Sequence, residues 1–493
     1  MSLTPSLSWS FPYRCERDSE GNDYLGVREV EGPRQIQRVV ETDAALAEPG
    51  RKSQSRAQCH SPSRQCPVGQ NAAKQHPAHG LQSEGTDTLK LSKAGCLKMS
   101  CWWTTGVLAV LASCFPASAS LSKPSIGKVV ASWGYNLDAL DVATPDGYIL
   151  TVHRLSAPKA RNASGHFTPI LIGHGLLGNS EQWLLRSDQN LAVQLVDRGF
   201  DVWLSNFRGT SYGLRHKSLS IKSHKFWDFS WHENGVIDQA AMVDFVLQTT
   251  GRPRLLSLSY SMSCTSTMVL LSERPEYNSK IMGNVFFAPS AFFRHPAGLW
   301  LFTKSAIDKC PGLIKDATAR YIINDKMPFS DVPVDTLCYA AQSSNELQPV
   351  CKIFTEFAAG KPKPPISSKM MRALLSRFPA GASIRQVTHY AQSLMSAGSF
   401  RKYDFGMAKN EKLYSSPVPP SYNLSAISSP IHFFYGLGDL TVSAEDAAAL
   451  SSEIPSVVSV HKVPRFNHLD FVLAKNVDEA VNKKVIDHFL SYV

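Results

Sequence analysis

Apolar runs of strand length alternate with helical patterns along much of the chain, and this alternation restricts the possible folds more than any other feature. A run in which nearly every residue is apolar is typical of a strand buried on both faces, whereas apolar residues spaced by three and four indicate a helix. The predicted strands lie at 169–173, 201–205, 254–258, 281–287, 430–435 and 457–463, and the predicted helices at 189–197, 235–248, 262–272 and 478–492. This order predicts a mostly parallel sheet with helices on both faces.

The alternation stops between residues 292 and 423. Helical patterns such as 370–377 are broken there by proline-rich pieces at 361–365 and 417–420. We therefore expect an inserted, mainly helical cap that divides an α/β core into two parts, 120–291 and 424–493.

Several kinds of site find no support in the sequence. It contains no GxxxxGK loop, HExxH helix or CxxC pair, so neither nucleotide binding nor a metal site is indicated. The formal net charge is +10, but the Lys and Arg residues are scattered rather than clustered. A scattered charge does not favour a nucleic-acid partner.

The first 119 residues differ in character from the rest. Residues 1–98 are rich in polar residues and show no sustained hydrophobic period, which predicts a disordered or over-extended leader. The apolar run 101–115 is followed by Ala-Ser-Ala at 117–119, a pattern typical of a secretory signal peptide, here 99–119. Because such a signal normally opens a chain, we interpret Met99 as the start of translation. The alternative is a signal anchor with a long cytoplasmic tail, although the run is short for a membrane span.

Entry into the secretory pathway gives the remaining cysteines and sequons a role. Four cysteines follow residue 119, at positions 264, 310, 338 and 351, enough for one or two disulfides. The sequons at Asn162 and Asn423 are the predicted glycosylation sites. These features predict a secreted or lysosomal glycoprotein with no transmembrane span after removal of the signal.

Three residues with catalytic potential occur in the order Ser261, Asp439, His468, which is the order that α/β-hydrolases use. Ser261 lies between a predicted strand and a predicted helix, where a sharp turn exposes a nucleophile at the carboxyl edge of a sheet. Asp439 and His468 also follow predicted strands. A serine hydroxyl is too weakly acidic to attack an ester unaided, so a neutral imidazole must take its proton and a carboxylate must hold the imidazole.

Alternative interpretations remain open for the nucleophile and for the acid. A serine between a strand and a helix can simply cap the helix. Asp446 is a second candidate for the acid, although Ser443-Ala-Glu-Asp446 also fits a capping box, in which the two end residues bond each other's backbone.

A set of short motifs, in a fixed order from Tyr135 to the C-terminus, favours the hydrolase interpretation. The motifs are His174-Gly-Leu-Leu-Gly178, Asn206-Phe-Arg-Gly209, Phe226-Trp-Asp-Phe-Ser-Trp-His-Glu233, Phe287-Ala-Pro289, Gly436-Leu-Gly-Asp-Leu440 and Phe466-Asn-His-Leu-Asp-Phe471. Together they resemble the acid lipase family, which comprises gastric and lysosomal acid lipases and their invertebrate relatives.

This resemblance implies an α/β-hydrolase fold with a cap and a catalytic triad. In that triad Ser261 is the nucleophile, Asp439 the acid and His468 the base. The backbone N–H groups of Leu176 and Met262 would form the oxyanion hole, and no metal or organic cofactor is implied. The implied function is a serine lipase acting on triacylglycerol or cholesteryl ester at a lipid–water interface.

The nucleophile turn departs from the family pattern G-x-S-x-G. This chain has Ser259-Tyr-Ser-Met-Ser263, with serine in place of both glycines. Small residues are needed there because the strand and the helix approach closely, so we expect the turn to survive with strain. The alternative function is therefore a catalytically impaired lipase-like protein that binds or stores lipid.

The resemblance also suggests a disulfide within the cap, for which we predict the pair Cys338–Cys351, with Cys310 as the alternative partner. Cys264, on the helix after Ser261, is expected to be a buried small hydrophobe. Residues 292–423 hold 17 Lys/Arg and 9 Asp/Glu. This excess either favours anionic lipid interfaces or belongs to ordinary solvated helix faces.

Overall fold

The computed structural model describes residues 13–17, 23–27, 125–157, 167–186, 190–309, 338–339 and 347–493. Met1–Met99 and Ser100–Val493 are separate units. In the first unit the structure describes an antiparallel hairpin of β1 (Tyr13–Arg17) and β2 (Asp23–Val27). The predicted signal peptide and the other residues of the proposed leader lie outside the described residues.

Nine strands of the second unit form one sheet. They are β3 (Asn136–Ala143), β4 (Tyr148–Ser156), β5 (Pro169–Ile172), β6 (Asp201–Leu204), β7 (Arg215–His216), β8 (Leu255–Tyr260), β9 (Ile281–Phe287), β10 (Ile431–Gly436) and β11 (Val457–Val463). Their order is β11-β10-β9-β8-β5-β6-β4-β3, with β7 paired to β4. The six strands from β11 to β6 are parallel to one another, and β4 is antiparallel to β3, β6 and β7. The predicted mostly parallel sheet is confirmed.

All six predicted strands are present, whereas the antiparallel edge was missed. Most side chains of β3 are exposed or half-buried, so its sequence contains no continuous apolar run. An edge strand of this kind leaves only a weak hydrophobic pattern.

Helices flank the sheet on both faces. The described helices of four or more residues are Ile126–Ser132, Leu191–Asp197, Ala240–Thr250, Met262–Glu273, Tyr277–Lys280, Gly298–Lys309, Pro349–Ala359, Ser368–Leu375, Ile384–Met395, Met407–Tyr414, Ala444–Glu453, Asp470–Leu473 and Lys483–Leu490. Five of them, from Gly298–Lys309 to Met407–Tyr414, lie between β9 and β10 in sequence. This is the interval where the sequence predicts a cap.

Alternate residues of the central strands enter two different cores, which is why apolar residues predominate along these strands. Leu171 of β5 packs in one core with Val243 of helix Ala240–Thr250, whereas Ile170 and Ile172 pack in the other with Val485 of helix Lys483–Leu490. Successive side chains of a strand point to opposite faces, so a sheet covered on both sides needs apolar residues at every position.

A capping box at Ser230 begins one of the helices that cover the sheet. Ser230 Oγ accepts a hydrogen bond from the backbone N–H of His232, and Glu233 Oε2 accepts one from the backbone N–H of Ser230. The helix begins at Trp231 and runs through a π-helical stretch, Asn234–Gln239, into Ala240–Thr250. The sequence pattern therefore places this helix correctly but starts it four residues late.

No helix within the described ranges is long and apolar enough to cross a membrane.

Candidate active site

Ser261 lies on the sharp turn between β8 and helix Met262–Glu273. Its φ of 55° falls in the left-handed region, which is uncommon for a residue other than glycine and marks a strained turn. The backbone N–H of Ser261 donates to the carbonyl of Phe287 at 2.9 Å. Its side chain makes no capping hydrogen bond to the helix, so the alternative of a simple capping serine is wrong.

The structure brings Ser261 together with the two other candidates at the carboxyl ends of their strands. His468 Nε2 lies 2.9 Å from Ser261 Oγ, and His468 Nδ1 lies 2.8 Å from Asp439 Oδ2. All three side chains are buried. Because Nδ1 donates its proton to the carboxylate, Nε2 is free to accept the serine hydroxyl proton.

The acid is held by its own turn. Asp439 Oδ1 accepts hydrogen bonds from the backbone N–H groups of Thr441 at 2.8 Å and Val442 at 2.9 Å. These bonds occupy one carboxylate oxygen and leave the other for His468. The second candidate acid, Asp446, instead accepts from the backbone and the ring of His295.

The capping interpretation of Asp446 is half correct. Ser443 Oγ accepts a hydrogen bond from the backbone N–H of Asp446 at 3.1 Å, as expected for a helix N-cap. The carboxylate does not return to Ser443, because it binds His295 at 2.9 Å. Asp446 therefore joins the helix start to the segment after β9.

Both backbone polar groups of His468 have partners. Its N–H donates to the carbonyl of Ala359 at 3.0 Å, and its carbonyl accepts from the phenol of Tyr260 at 2.9 Å. Asn467 and Asp470, which enclose His468 and Leu469, form a reciprocal pair: Asp470 Oδ2 accepts from the Asn467 N–H, and Asn467 Oδ1 accepts from the Asp470 N–H. The ring therefore projects from a backbone that is fixed on all sides.

Asp470 is an unusual carboxyl for this position. It is 1% exposed, and its Oδ1 has no hydrogen-bond partner in the described part of the chain. Burial, with the negative charge of Asp439 nearby, raises the pKa of Asp470 to about 6.

The turn after His174 lies beside the nucleophile. A Cβ placed on Gly175 would be 3.4 Å from the Cβ of Ser261. The next N–H, that of Leu176, and the N–H of Met262 donate to no residue within the described ranges. Two free donors next to a serine are the arrangement that an oxyanion hole requires.

His174 fixes the orientation of this turn. Its Nε2 accepts a hydrogen bond from the backbone N–H of Phe207 at 3.2 Å, so Nδ1 carries the proton and donates to the carbonyl of Gly175 at 2.8 Å. That carbonyl and the Leu176 N–H belong to one peptide plane and point in opposite directions. Complete burial lowers the pKa of His174 to about 4, which keeps the ring neutral.

The two serines that replace glycine are fully accommodated. Ser263 Oγ accepts from the N–H of Tyr260 at 2.6 Å and donates to its carbonyl at 2.9 Å. The hydroxyl of Thr267 donates its hydrogen bond to the Ser263 carbonyl. Its oxygen therefore accepts from Ser259 Oγ at 2.8 Å and from Gln239 Nε2 at 2.6 Å. Neither hydroxyl is left without a partner.

The other predicted sites are distributed as follows. Cys338 and Cys351 form a disulfide, and Cys264 is a free, buried thiol. Asn423 is exposed, and its Oδ1 accepts from the Ser425 N–H. Asn162 and Cys310 lie outside the described residues, so their roles stay predictions.

Sequence reasoning missed the groups that hold the site. Asn467 and Asp470 lie three positions apart, a spacing that signals a reciprocal cap and could have been recognised. His174 was noted only as part of a motif. The phenol of Tyr260 and the carbonyl of Ala359 carry no sequence signal, because their partners are distant along the chain.

Comparison with known proteins agrees with this geometry. Residues 126–187 match the partial alpha/beta-hydrolase lipase region, and residues 168–474 match the alpha/beta hydrolase fold. Lipase 1 of Drosophila melanogaster is 32% identical over 371 residues, which cover 73% of this chain and 79% of that protein. Gastric triacylglycerol lipase of Bos taurus is 30% identical over 368 residues, which cover 73% and 90%. The chain therefore belongs to the acid lipase family, a group of carboxylic ester hydrolases with the alpha/beta hydrolase fold.

Proposed function

We propose that the protein is a serine lipase that hydrolyses esters of fatty acids through Ser261, His468 and Asp439. The observation that carries this proposal is the continuous hydrogen-bonded chain from Asp439 Oδ2 through the imidazole to Ser261 Oγ, with both distances under 3 Å. It ends at a strained turn beside two N–H groups that have no hydrogen-bond partner among the described residues.

The proposed reaction follows from these contacts. Ser261 Oγ attacks the ester carbonyl carbon as its proton passes to His468 Nε2, and the carbonyl oxygen becomes an oxyanion between the N–H groups of Leu176 and Met262. The tetrahedral intermediate collapses when His468 returns the proton to the leaving alcohol oxygen. Water then attacks the acyl-enzyme and gives its proton to Nε2, and a second collapse releases the fatty acid and restores the serine.

Asp439 stabilises the charged intermediate state of the base. When His468 is doubly protonated, its Nδ1–H still donates to Asp439 Oδ2, which holds the imidazolium in place. The two backbone N–H groups on Oδ1 prevent the carboxylate from rotating away from the ring. We therefore assign Asp439, and not Asp446, as the acid of the proposed triad.

An exposed apolar helix face supports a lipid surface as the place of action. Val350, Ile353, Phe354 and Phe357 lie on one face of helix Pro349–Ala359 and are 41% to 67% exposed. The end of this helix is bonded to the site, since the Ala359 carbonyl accepts from the N–H of His468. A contiguous exposed apolar face is typical of a surface that meets another apolar surface.

The substrate class and the compartment are also proposals. Relatives named as triacylglycerol lipases support triacylglycerol as the substrate, and cholesteryl ester is the alternative that the family resemblance implies. The Cys338–Cys351 disulfide supports an oxidising compartment, secreted or lysosomal, because cytosolic thiols stay reduced.

Labelling with a fluorophosphonate probe tests the proposal directly. The wild-type protein should bind the probe covalently at Ser261 and should hydrolyse long-chain esters, whereas Ser261→Ala should do neither, because no acyl-enzyme can form. A wild-type protein that binds lipid but neither labels nor hydrolyses any ester would instead be the lipid-binding or storage protein.

A further inference from the structure

The structure contains a close steric match between the nucleophile turn and the end of the neighbouring strand. Gly173 directly follows β5, and its N–H donates to the carbonyl of Leu258 in β8 at 2.7 Å. A Cβ on Gly173 would lie 2.5 Å from the Cβ of Ser263 and 2.6 Å from its Oγ. Cβ atoms do not approach this closely in proteins, so Ser263 fits only because residue 173 has no side chain.

Conformation does not explain the glycine at 173. Its φ lies outside the left-handed region, in contrast to Gly209 or Gly251, so any residue could adopt its backbone. What excludes a side chain is the space that Ser263 occupies. The close approach of strand and helix requires one residue without a side chain. In this chain that residue is Gly173, at the end of the strand, and not residue 263 in the turn.

The hydroxyl of Ser263 acts on the peptide that carries the nucleophile. The carbonyl of Tyr260 and the N–H of Ser261 belong to one planar unit. Ser263 Oγ holds the carbonyl end at 2.9 Å, and the Phe287 carbonyl holds the N–H end at 2.9 Å. Both ends of the Tyr260–Ser261 peptide are therefore fixed, and this peptide directly precedes the strained φ of Ser261.

We propose that Ser263 is a positioning residue for Ser261 and that Gly173 is its required steric complement. This inference rests on the proposed function for its catalytic part only. The serine at position 263 is then neither a defect nor a neutral change. Its side chain fills the space beside Gly173, and its hydroxyl adds a hydrogen bond that supports the turn.

Two single variants and their combination test the steric part. Gly173→Ala should lower the rate of Ser261 labelling about 100-fold and lower the thermal unfolding midpoint, because the new Cβ displaces the turn. Adding Ser263→Gly should raise the rate and the midpoint in the Gly173→Ala background but lower them in the wild-type background. Gly127→Ala is the matched control, since a Cβ on Gly127 meets nothing within 4 Å.

Ser263→Ala tests the polar part, because it removes the hydroxyl and keeps the Cβ. It leaves the buried Tyr260 N–H without its partner, so kcat should fall about tenfold while KM stays unchanged. A purely structural role would lower the amount of folded protein without changing kcat per folded molecule.

The possible results are distinguishable. The inference is overturned if Gly173→Ala behaves like Gly127→Ala, or if Ser263→Gly has the same sign of effect in both backgrounds. If the wild-type protein neither labels nor hydrolyses esters, the proposed function fails instead. The steric pairing is then decided by the unfolding midpoints, which need no activity.

Discussion

The phenolic hydroxyl of Tyr260 donates a hydrogen bond to the backbone carbonyl of His468 at 2.9 Å, across 208 positions of the sequence. The residue directly before the nucleophile thereby holds the loop that carries the base. The two rings also contact each other, with centroids 5.1 Å apart. A displacement of the His468 loop would therefore have to break a contact with the nucleophile turn itself.

Tyr260→Phe should lower kcat about tenfold with little change in KM, because the ring remains and only the tether is lost. Removal of one buried hydrogen bond costs about 1 kcal/mol in stability. Steady-state kinetics on a soluble ester provides the measurement. Tyr422→Phe is the control, since it removes a buried phenol bonded to His232 in another part of the molecule and should lower stability without lowering kcat. Equal effects of the two variants on kcat would contradict the tether.

Asp439→Asn should reduce kcat by about 10⁴-fold, as expected when the imidazole loses the carboxylate that selects its tautomer. Asp446→Asn should leave kcat within about twofold of wild type, because Asp446 binds His295 and has no bond to His468. Ester turnover by both variants, with circular dichroism to verify folding, makes the comparison. A large loss of activity in Asp446→Asn alone would reverse the assignment of the acid.

The fold was predictable because the central strands enter two cores and must be apolar at every position. β5 illustrates this, since all four of its residues are apolar and buried. Strand β3 was missed because most of its side chains are exposed or half-buried, so it needs no continuous apolar run. The order Ser261, Asp439, His468 was informative because each residue follows a strand, and the carboxyl ends of parallel strands meet at one edge of the sheet.

The supports of the site were not predictable, because they depend on distant partners. The sequence indicates strain at Ser259 and Ser263, where the structure has complete hydrogen bonding. Whether a hydroxyl is strained or satisfied depends on Thr267 in the following helix and on the space beside Gly173. Neither relationship leaves a periodic pattern in the sequence.

His174→Ala should reduce kcat by about 10- to 100-fold, because the Gly175 carbonyl loses a donor and the Leu176 N–H loses its fixed direction. The expected loss is smaller than removal of an oxyanion donor, which costs about 10²- to 10³-fold, since the N–H itself remains. Turnover and labelling rates should fall together.

His432→Ala is the matched control for this variant. His432 is also a buried histidine whose pKa is lowered to about 4, but it binds Ser459 on the neighbouring strand β11. Its replacement should lower the unfolding midpoint and leave kcat per folded molecule unchanged. A comparable loss of kcat in both variants would assign the effect of His174 to general destabilisation.

Asp470→Asn should change the pH dependence of stability in one direction. The usual pKa of this carboxyl is 3.8, and burial raises it to about 6 in the folded protein, so ionisation opposes folding. The wild-type protein should therefore lose stability as the pH rises from about 4 to about 6, whereas the amide cannot ionise. The unfolding midpoint of Asp470→Asn, measured relative to wild type at each pH, should rise across this window and stay constant above it.

The control for this variant is Asp470→Ala. The amide oxygen of Asp470→Asn can still accept from the Asn467 N–H, whereas alanine cannot, so Asp470→Ala should be less stable than Asp470→Asn at every pH. A difference between wild type and Asp470→Asn that does not change from pH 4 to pH 7 would show that Asp470 is not the titrating group.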